Sequence, residues 1–187
     1  MFKSITVLIP VFNDQEVLPE LHRRLKAVLD KDWQDYEMIL VDDGSGDSSW
    51  QEIEALHKQD DRIVGIRLMR NFGQQNAIAA GLDYAGGDVV VIMDSDLQDR
   101  PEDIPRLVQA LEENDASMAI ARWKSRKDSW FKLAVSRLFY SVSKKITNIR
   151  HEPNLAVFRA IKREVIEELG KYPEKTSTTL SLLYWIG

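Results

Sequence analysis

Residues 88–103 read DVVVIMDSDLQDRPED, and the punctuation of that stretch decides the fold. Asp88 to Met93 is a near-continuous Val/Ile run, the pattern of a central parallel strand covered on both faces. It breaks into DSDLQD, and Pro101 then stands where the first turn of a helix begins, predicting a helix over Ile104 to Leu111. Working outward, the same alternation recurs. Upstream, Ile63 to Leu68 reads as a strand leading into RNFGQQNAIAAGLDYA, whose Ala-rich half is a helix packed closely through Ala77, Ala80 and Gly81 and ended by Gly86-Gly87. Tyr36 to Val41 is another strand, running into DDGSGD, where Asp47 is the expected N-cap of a helix carrying Ile53, Leu56 and His57. Ser4 to Ile9 is the first strand, followed by Val17, Leu18, Leu21, Leu25, Val28 and Leu29 at helical spacing. Downstream lie a strand at Ser117 to Ala121, a strand near Leu155 to Arg159 and a helix from Lys162 to Leu169. Strands alternating with helices in this way predict βαβ units and an α/β fold with a mostly parallel sheet.

Composition sets outer bounds. A chain of 187 residues suits one domain, and the absence of Cys excludes disulfide scaffolds, thiolate metal sites and Cys nucleophiles. The 25 Lys+Arg against 30 Asp+Glu argue against a general nucleic-acid binder. The charge is uneven, however. Residues 122–150 hold nine basic side chains and one acid, Asp128, so this stretch carries +8 while the rest carries −13 of the net −5. Within it, Phe131, Val135, Leu138, Phe139 and Val142 interleave with Lys132, Arg137, Lys144 and Lys145, which reads as a basic amphipathic helix over 130–146. Such a face packs on its own domain or attracts anionic lipid headgroups, each basic residue then contributing about 1 kcal/mol. The apolar run Ile5 to Val11 is broken by Pro10 and lacks a signal cleavage site, and no stretch approaches the ~18 apolar residues of a membrane span. The expectation is a soluble, cytoplasmic chain. Its end, TTLSLLYWIG, is compatible with a boundary or with an onward membrane segment.

Ligands of open parallel sheets bind outside the carboxyl ends of the strands. Three such ends here are chemically unusual: Pro10-Val11-Phe12-Asn13-Asp14, Asp42-Asp43-Gly44-Ser45, and Asp94 through Asp99. Carboxylates clustered at one rim repel one another unless a cation or hydrogen-bond donors compensate. Asp94 and Asp96 stand two apart beyond a strand, so both can lean toward one cation. Mg²⁺ and Mn²⁺ prefer oxygen ligands and combine one or two carboxylates with substrate phosphates. A solvated turn with helix-capping acids is the competing reading, weakened by the position at the end of the most buried strand. Asp42 and Asp43 suit a turn equally well, or accept from a base N–H or a ribose hydroxyl. Arg70 opens the RNFG segment, where a helix start offers N–H groups to an anion. No GxGxxG, GxxxxGK[ST] or GxSxG is present, and His22, His57 and His151 lack metal-ligand spacing.

Taken in order, IPVFND, VDDGSGD, RNFGQQNAIAAGLDYA and DVVVIMDSDLQDRPEDI resemble the family 2 glycosyltransferases of GT-A fold. The likeness is greatest to the polyprenyl-phosphate branch: dolichol-phosphate mannose synthases and bacterial undecaprenyl-phosphate sugar transferases. ARWKSRKDSWFK, FRAIKREVIEEL and the terminal WIG, which in relatives commonly precedes transmembrane helices, extend the resemblance over essentially the whole chain. It implies a single Rossmann-like domain over 1–187, with a nucleotide-sugar-binding part (1–121) and a basic acceptor-side part (122–187). Pro10, Phe12 and Asp14 would line the nucleotide pocket, with Asp42 facing the base and Asp43 and Arg70 beside it. Asp94, Asp96 and Gln98 would hold Mg²⁺ or Mn²⁺ against the diphosphate of a UDP- or GDP-sugar. Arg122 and Arg126 match basic positions that approach donor or acceptor phosphates, and with Asp96 complete the expected catalytic set. The acceptor would be a lipid phosphate or a glycan, the location the inner face of the membrane; nucleic acid is not an expected partner, and a homo-oligomer is left open.

Relatives often carry Gly-Asp just before the Phe-Arg of the later motif, where this chain has Ala156 and Val157. An acid near the sugar is therefore missing. A hydroxyl acceptor needs a general base, whereas a phosphate monoester with a second pKa of about 6 is already mostly ionised at neutral pH. Two other classes share parts of the pattern: a nucleotide-sugar-binding module with little activity alone, and a receiver-like phosphoprotein, which has acidic strand ends but not the PVFND and DSDLQD spacing.

Overall fold

The structure, a computed structural model, describes residues 2–122 and 155–171. In chain order the elements are β1 (Ser4–Val11), α1 (Leu18–Asp32), β2 (Asp35–Asp42), α2 (Ser49–Gln59), β3 (Ile63–Arg67), α3 (Gln74–Leu82) and β4 (Val89–Ile92). A 3₁₀ turn (Pro101–Asp103), α4 (Ile104–Glu113), β5 (Met118–Arg122), β6 (Leu155–Lys162) and α5 (Arg163–Leu169) complete it. The six strands form one sheet in the order β3-β2-β1-β4-β6-β5. β1 to β4 are mutually parallel. β6 runs antiparallel between β4 and β5. The expected basic helix over 130–146 and the terminal TTLSLLYWIG lie outside the described residues.

Both faces of the sheet are covered, as the Val/Ile run requires. Ile5, Val7 and Ile9 of β1 and Val89 and Val91 of β4 point into a core with Leu18, Leu21, Leu25 and Leu29 of α1, Ile53 and Leu56 of α2, and Ile104, Val108 and Leu111 of α4. Leu8, Val90 and Ile92 point the other way, onto Ala77, Ile78 and Leu82 of α3 and Val165 and Leu169 of α5. Each fully buried Leu or Ile contributes roughly 1.5–3 kcal/mol. α3 sits unusually close to β1: a Cβ on Gly81 would lie 2.1 Å from Leu8 Cδ1. Among the described residues no helix is long and apolar enough to cross a membrane.

The two ends of the sheet treat their acids differently. At the amino ends of β2 and β3, the buried Asp60 accepts from Arg62 Nε (2.8 Å) and Nη2 (3.0 Å) and from Lys26 Nζ (3.2 Å). Arg62 also reaches Asp30, which takes the Tyr36 hydroxyl. The Arg62 guanidinium, with Lys26 and His22, holds Asp60 far below the usual carboxylate range despite burial. This end is electrostatically closed. The carboxyl end is not, and it faces a cleft.

Candidate active site

The loops after β1, β2 and β4 converge on a cleft of about 370 Å³ lined by Pro10, Phe12, Asp14, Asp43, Gln74, Asp94 and Asp96, among others. The first two loops are zipped together by side-chain to backbone bonds. The Asn13 amide oxygen accepts from Gly46 N–H (2.8 Å), while Asn13 N–H donates to Ser45 Oγ (2.9 Å). Asn13 does this at φ 57°, a left-handed conformation that Asn tolerates. Ser48, not Asp47, is the N-cap residue of α2. The Asp47 carboxylate instead bridges the loops, accepting from Ser49 N–H (2.9 Å) and Gln15 N–H (3.2 Å). Phe12 stays 46% exposed, its ring on the cleft wall.

Asp42 and Asp43 are adjacent in sequence and differently placed. Asp42 is fully buried: Oδ1 accepts from Ser45 N–H at 3.0 Å and Oδ2 lies 3.4 Å from Arg67 Nε. It is not among the cleft-lining residues; the carboxylate organises the turn and pairs with Arg67 of β3. Asp43 does line the cleft, but its two oxygens are occupied by Phe72 N–H (2.7 Å) and Gly73 N–H (2.9 Å). The two N–H groups immediately before α3 are thus already answered by a carboxylate from the same chain. Gly44 (φ 67°) permits this, since a Cβ there would lie 2.4 Å from the Arg70 carbonyl carbon. Arg70 itself is exposed outside the cleft lining, its guanidinium 4.6 Å from the Phe72 ring centroid.

After β4 the carboxylates crowd. Asp94 and Asp96 both line the cleft, and Ser95 between them is turned inward, its hydroxyl donating to Asp14 Oδ2 at 2.5 Å. Asp94 Oδ1 accepts the Gln74 side-chain amide at 2.6 Å, and Asp96 Oδ1 accepts Gln98 N–H at 2.9 Å. Burial, then the charge of Asp96, raises the Asp94 pKa. Buried Asp99 is pushed up to about 6, chiefly by burial and then by the Asp94 charge. No Lys or Arg among the described residues forms an ion pair with Asp94 or Asp96. Hard oxygen donors that repel one another, with Asp94 partly desolvated, fit a divalent cation. Among the described residues no three His, Cys, Asp or Glu side chains form a complete cage, so remaining ligands would come from substrate and water. Gln98 caps Asp96 through its backbone N–H and also lines a neighbouring cavity of about 570 Å³.

That larger cavity runs along α4 and the β5–β6 edge, with Leu107, Ala110, Ile120 and Phe158 beside Arg100, Arg106 and Arg122. Arg122 ends β5 on its wall; Arg126 lies outside the described residues. Val157 packs against the α3-side core, so the position where relatives often carry an acid continues the apolar layer. Buried Arg159 donates from Nε to the Val157 carbonyl at 3.0 Å. Gln74, Ser95 and Asp99 carry no individual role in the sequence pattern. Their signal was position alone, at a helix start after RNFG and inside DSDLQD.

The sequence model described as glycosyl transferase family 2 matches residues 6–170. The chain belongs to this family. This family 2 chain is 39% identical over 168 residues to the undecaprenyl-phosphate 4-deoxy-4-formamido-L-arabinose transferase of Aeromonas hydrophila, covering 89% of this chain and 51% of the relative. It therefore spans about half the length of the curated relatives it matches. Among solved structures, a mannosyltransferase from Pyrobaculum calidifontis in complex with GDP-Man and Mn²⁺ superposes with a TM-score of 0.59 at 23% identity, over 90% of this chain and 47% of that one. Glucosyl-3-phosphoglycerate synthase from Mycobacterium tuberculosis, in complex with Mn²⁺, UDP-glucose and phosphoglyceric acid, gives 0.63 at 20% identity, over 87% and 58%. At these identities the likeness establishes the GT-A-type fold of the family 2 domain.

Proposed function

We propose that the chain is the catalytic domain of a divalent-metal-dependent glycosyltransferase that moves a sugar from a UDP- or GDP-sugar to a polyprenyl phosphate with inversion. The observation that carries the reading is the pair Asp94 and Asp96 at the end of β4, each with one oxygen anchored and no cationic partner among the described residues, sharing a cleft with Phe12 and Pro10. Mn²⁺ in the solved complexes named above and the undecaprenyl-phosphate acceptor in the relative's name support it. Asp94 and Asp96 would hold Mg²⁺ or Mn²⁺, which supplies charge neutralisation for the departing nucleoside diphosphate. The exposed Phe12 ring offers a stacking face to the base. Asp43, through Phe72 and Gly73, keeps the opposite wall in place.

The neighbouring cavity, apolar along α4, carries Arg100, Arg106 and Arg122 against Asp99 and Asp103, and its three guanidinium groups would receive the anionic head of an acceptor with a hydrocarbon tail. An ionised acceptor phosphate oxygen forms the new bond to the anomeric carbon as the bond to the diphosphate oxygen breaks, inverting that centre. No base is needed, which agrees with Val157 lying in the apolar layer. The test is product formation from nucleotide sugars and undecaprenyl phosphate with Mn²⁺ or in EDTA. Asp96→Ala should reduce turnover at least 100-fold, in line with losing an electrostatic group at the reacting centre, and unchanged turnover overturns the assignment. Val157 and the half-length match also favour a second reading, a donor-binding module inactive alone. In that case Mn²⁺-dependent nucleotide binding persists without product.

A further inference from the structure

Gln74 is the first residue of α3, twenty positions before the acid it contacts. Its Nε2 donates to Asp94 Oδ1 at 2.6 Å, and both residues line the donor cleft. The start of α3 is itself pinned from β2, because Asp43 takes the N–H groups of Phe72 and Gly73 immediately before Gln74. Asp96 is anchored separately, by the backbone N–H of Gln98 at 2.9 Å. Both carboxylates therefore have one oxygen tied, and neither second oxygen takes a hydrogen bond among the described residues. The chemical type of the donor matters. A Lys or Arg at position 74 would also orient Asp94 but would neutralise it and compete with a cation; an amide orients and leaves the charge intact.

We infer that Gln74 is a positioning residue, fixing Asp94 so that its second oxygen would be available to a divalent cation in the donor cleft. The inference rests on the glycosyltransferase reading of the cleft. Outer partners of metal-binding carboxylates typically govern metal affinity by about 10- to 100-fold.

Titration calorimetry of UDP and of GDP, each in Mn²⁺ and in EDTA, separates the outcomes. The quantity of interest is the gain in nucleotide affinity that Mn²⁺ provides. Wild type should show this gain with one nucleotide, and Asp94→Ala should lose it. Gln74→Met, equal in length but without a donor, should reduce the gain tenfold or more, a loss well beyond any change in EDTA. A merely structural role would weaken both conditions alike and overturn the inference. A Gln74→Met gain equal to wild type, with Asp94→Ala still defective, overturns the inference and spares the functional reading. Absence of any Mn²⁺ gain in wild type sinks that reading and the inference with it. Should Gln74→Met fail to fold, Gln74→Ala at this exposed position provides the same comparison.

Discussion

At the scale of single residues, aspartates of one chemical type meet opposite fates. Asp60 is buried against Arg62 and Lys26 and is held ionised. Asp99, equally buried, faces Asp94 and is pushed up to about 6. The sign of its pH effect follows. Its folded pKa exceeds the unfolded value of about 3.9, so the unfolded chain loses this proton first. The associated stability is complete below about pH 4 and is lost as pH rises through about 6. Asp99→Asn, which can still accept the Asp94 amide, should therefore raise unfolding free energy by about 2 kcal/mol near pH 8 and by about zero near pH 4. Urea denaturation in EDTA at the two pH values checks this, and an equal effect at both rejects the electrostatic cause. The acids at this rim were all visible in the sequence. Their division into open and occupied groups was not, because the partners of Asp43 arrive from residues 72 and 73, across an intervening helix and strand.

At the scale of elements, the segment from Arg70 to Gly73 serves as a wall held from outside itself. Asp43 supplies charge-assisted bonds to two amides, and Gly44 supplies the space beneath them. Asp43→Asn leaves only one acceptor oxygen for two donors and should cost about 2 kcal/mol. Gly44→Ala combines a left-handed φ with a backbone overlap and should cost roughly 3 kcal/mol. Both should weaken nucleotide binding as well, and thermal melts alongside nucleotide titration read the two effects. Stability falling while binding holds would show that the wall is not part of the donor site. The helices here were legible from spacing: Leu18, Leu21, Leu25 and Leu29 are all buried, as their period predicts. The direction of β6 was not legible. LAVFRAIK reads as a strand in either orientation, and its antiparallel pairing is set by β4 and β5, which flank it.

At the scale of the whole molecule, the sequence divides its charge: +8 in residues 122–150 against −13 elsewhere. An anionic lipid surface would attract that stretch and repel the remainder, orienting the chain. Co-sedimentation with vesicles containing phosphatidylglycerol should show binding that falls steeply as salt rises from about 0.05 to 0.3 M, where the Debye length shortens. Equal binding to neutral vesicles would reject an electrostatic origin. A final consequence comes from the sheet edge. Arg122 and Leu155 are paired partners across β5 and β6, so everything between them departs and returns at one rung of the ladder. The flanking scaffold does not register how long that excursion is, and each doubling of its length adds only about 0.6 kcal/mol of closure entropy. The sheet thus fixes where the chain leaves β5 and where it re-enters β6, and sets no length for what connects them.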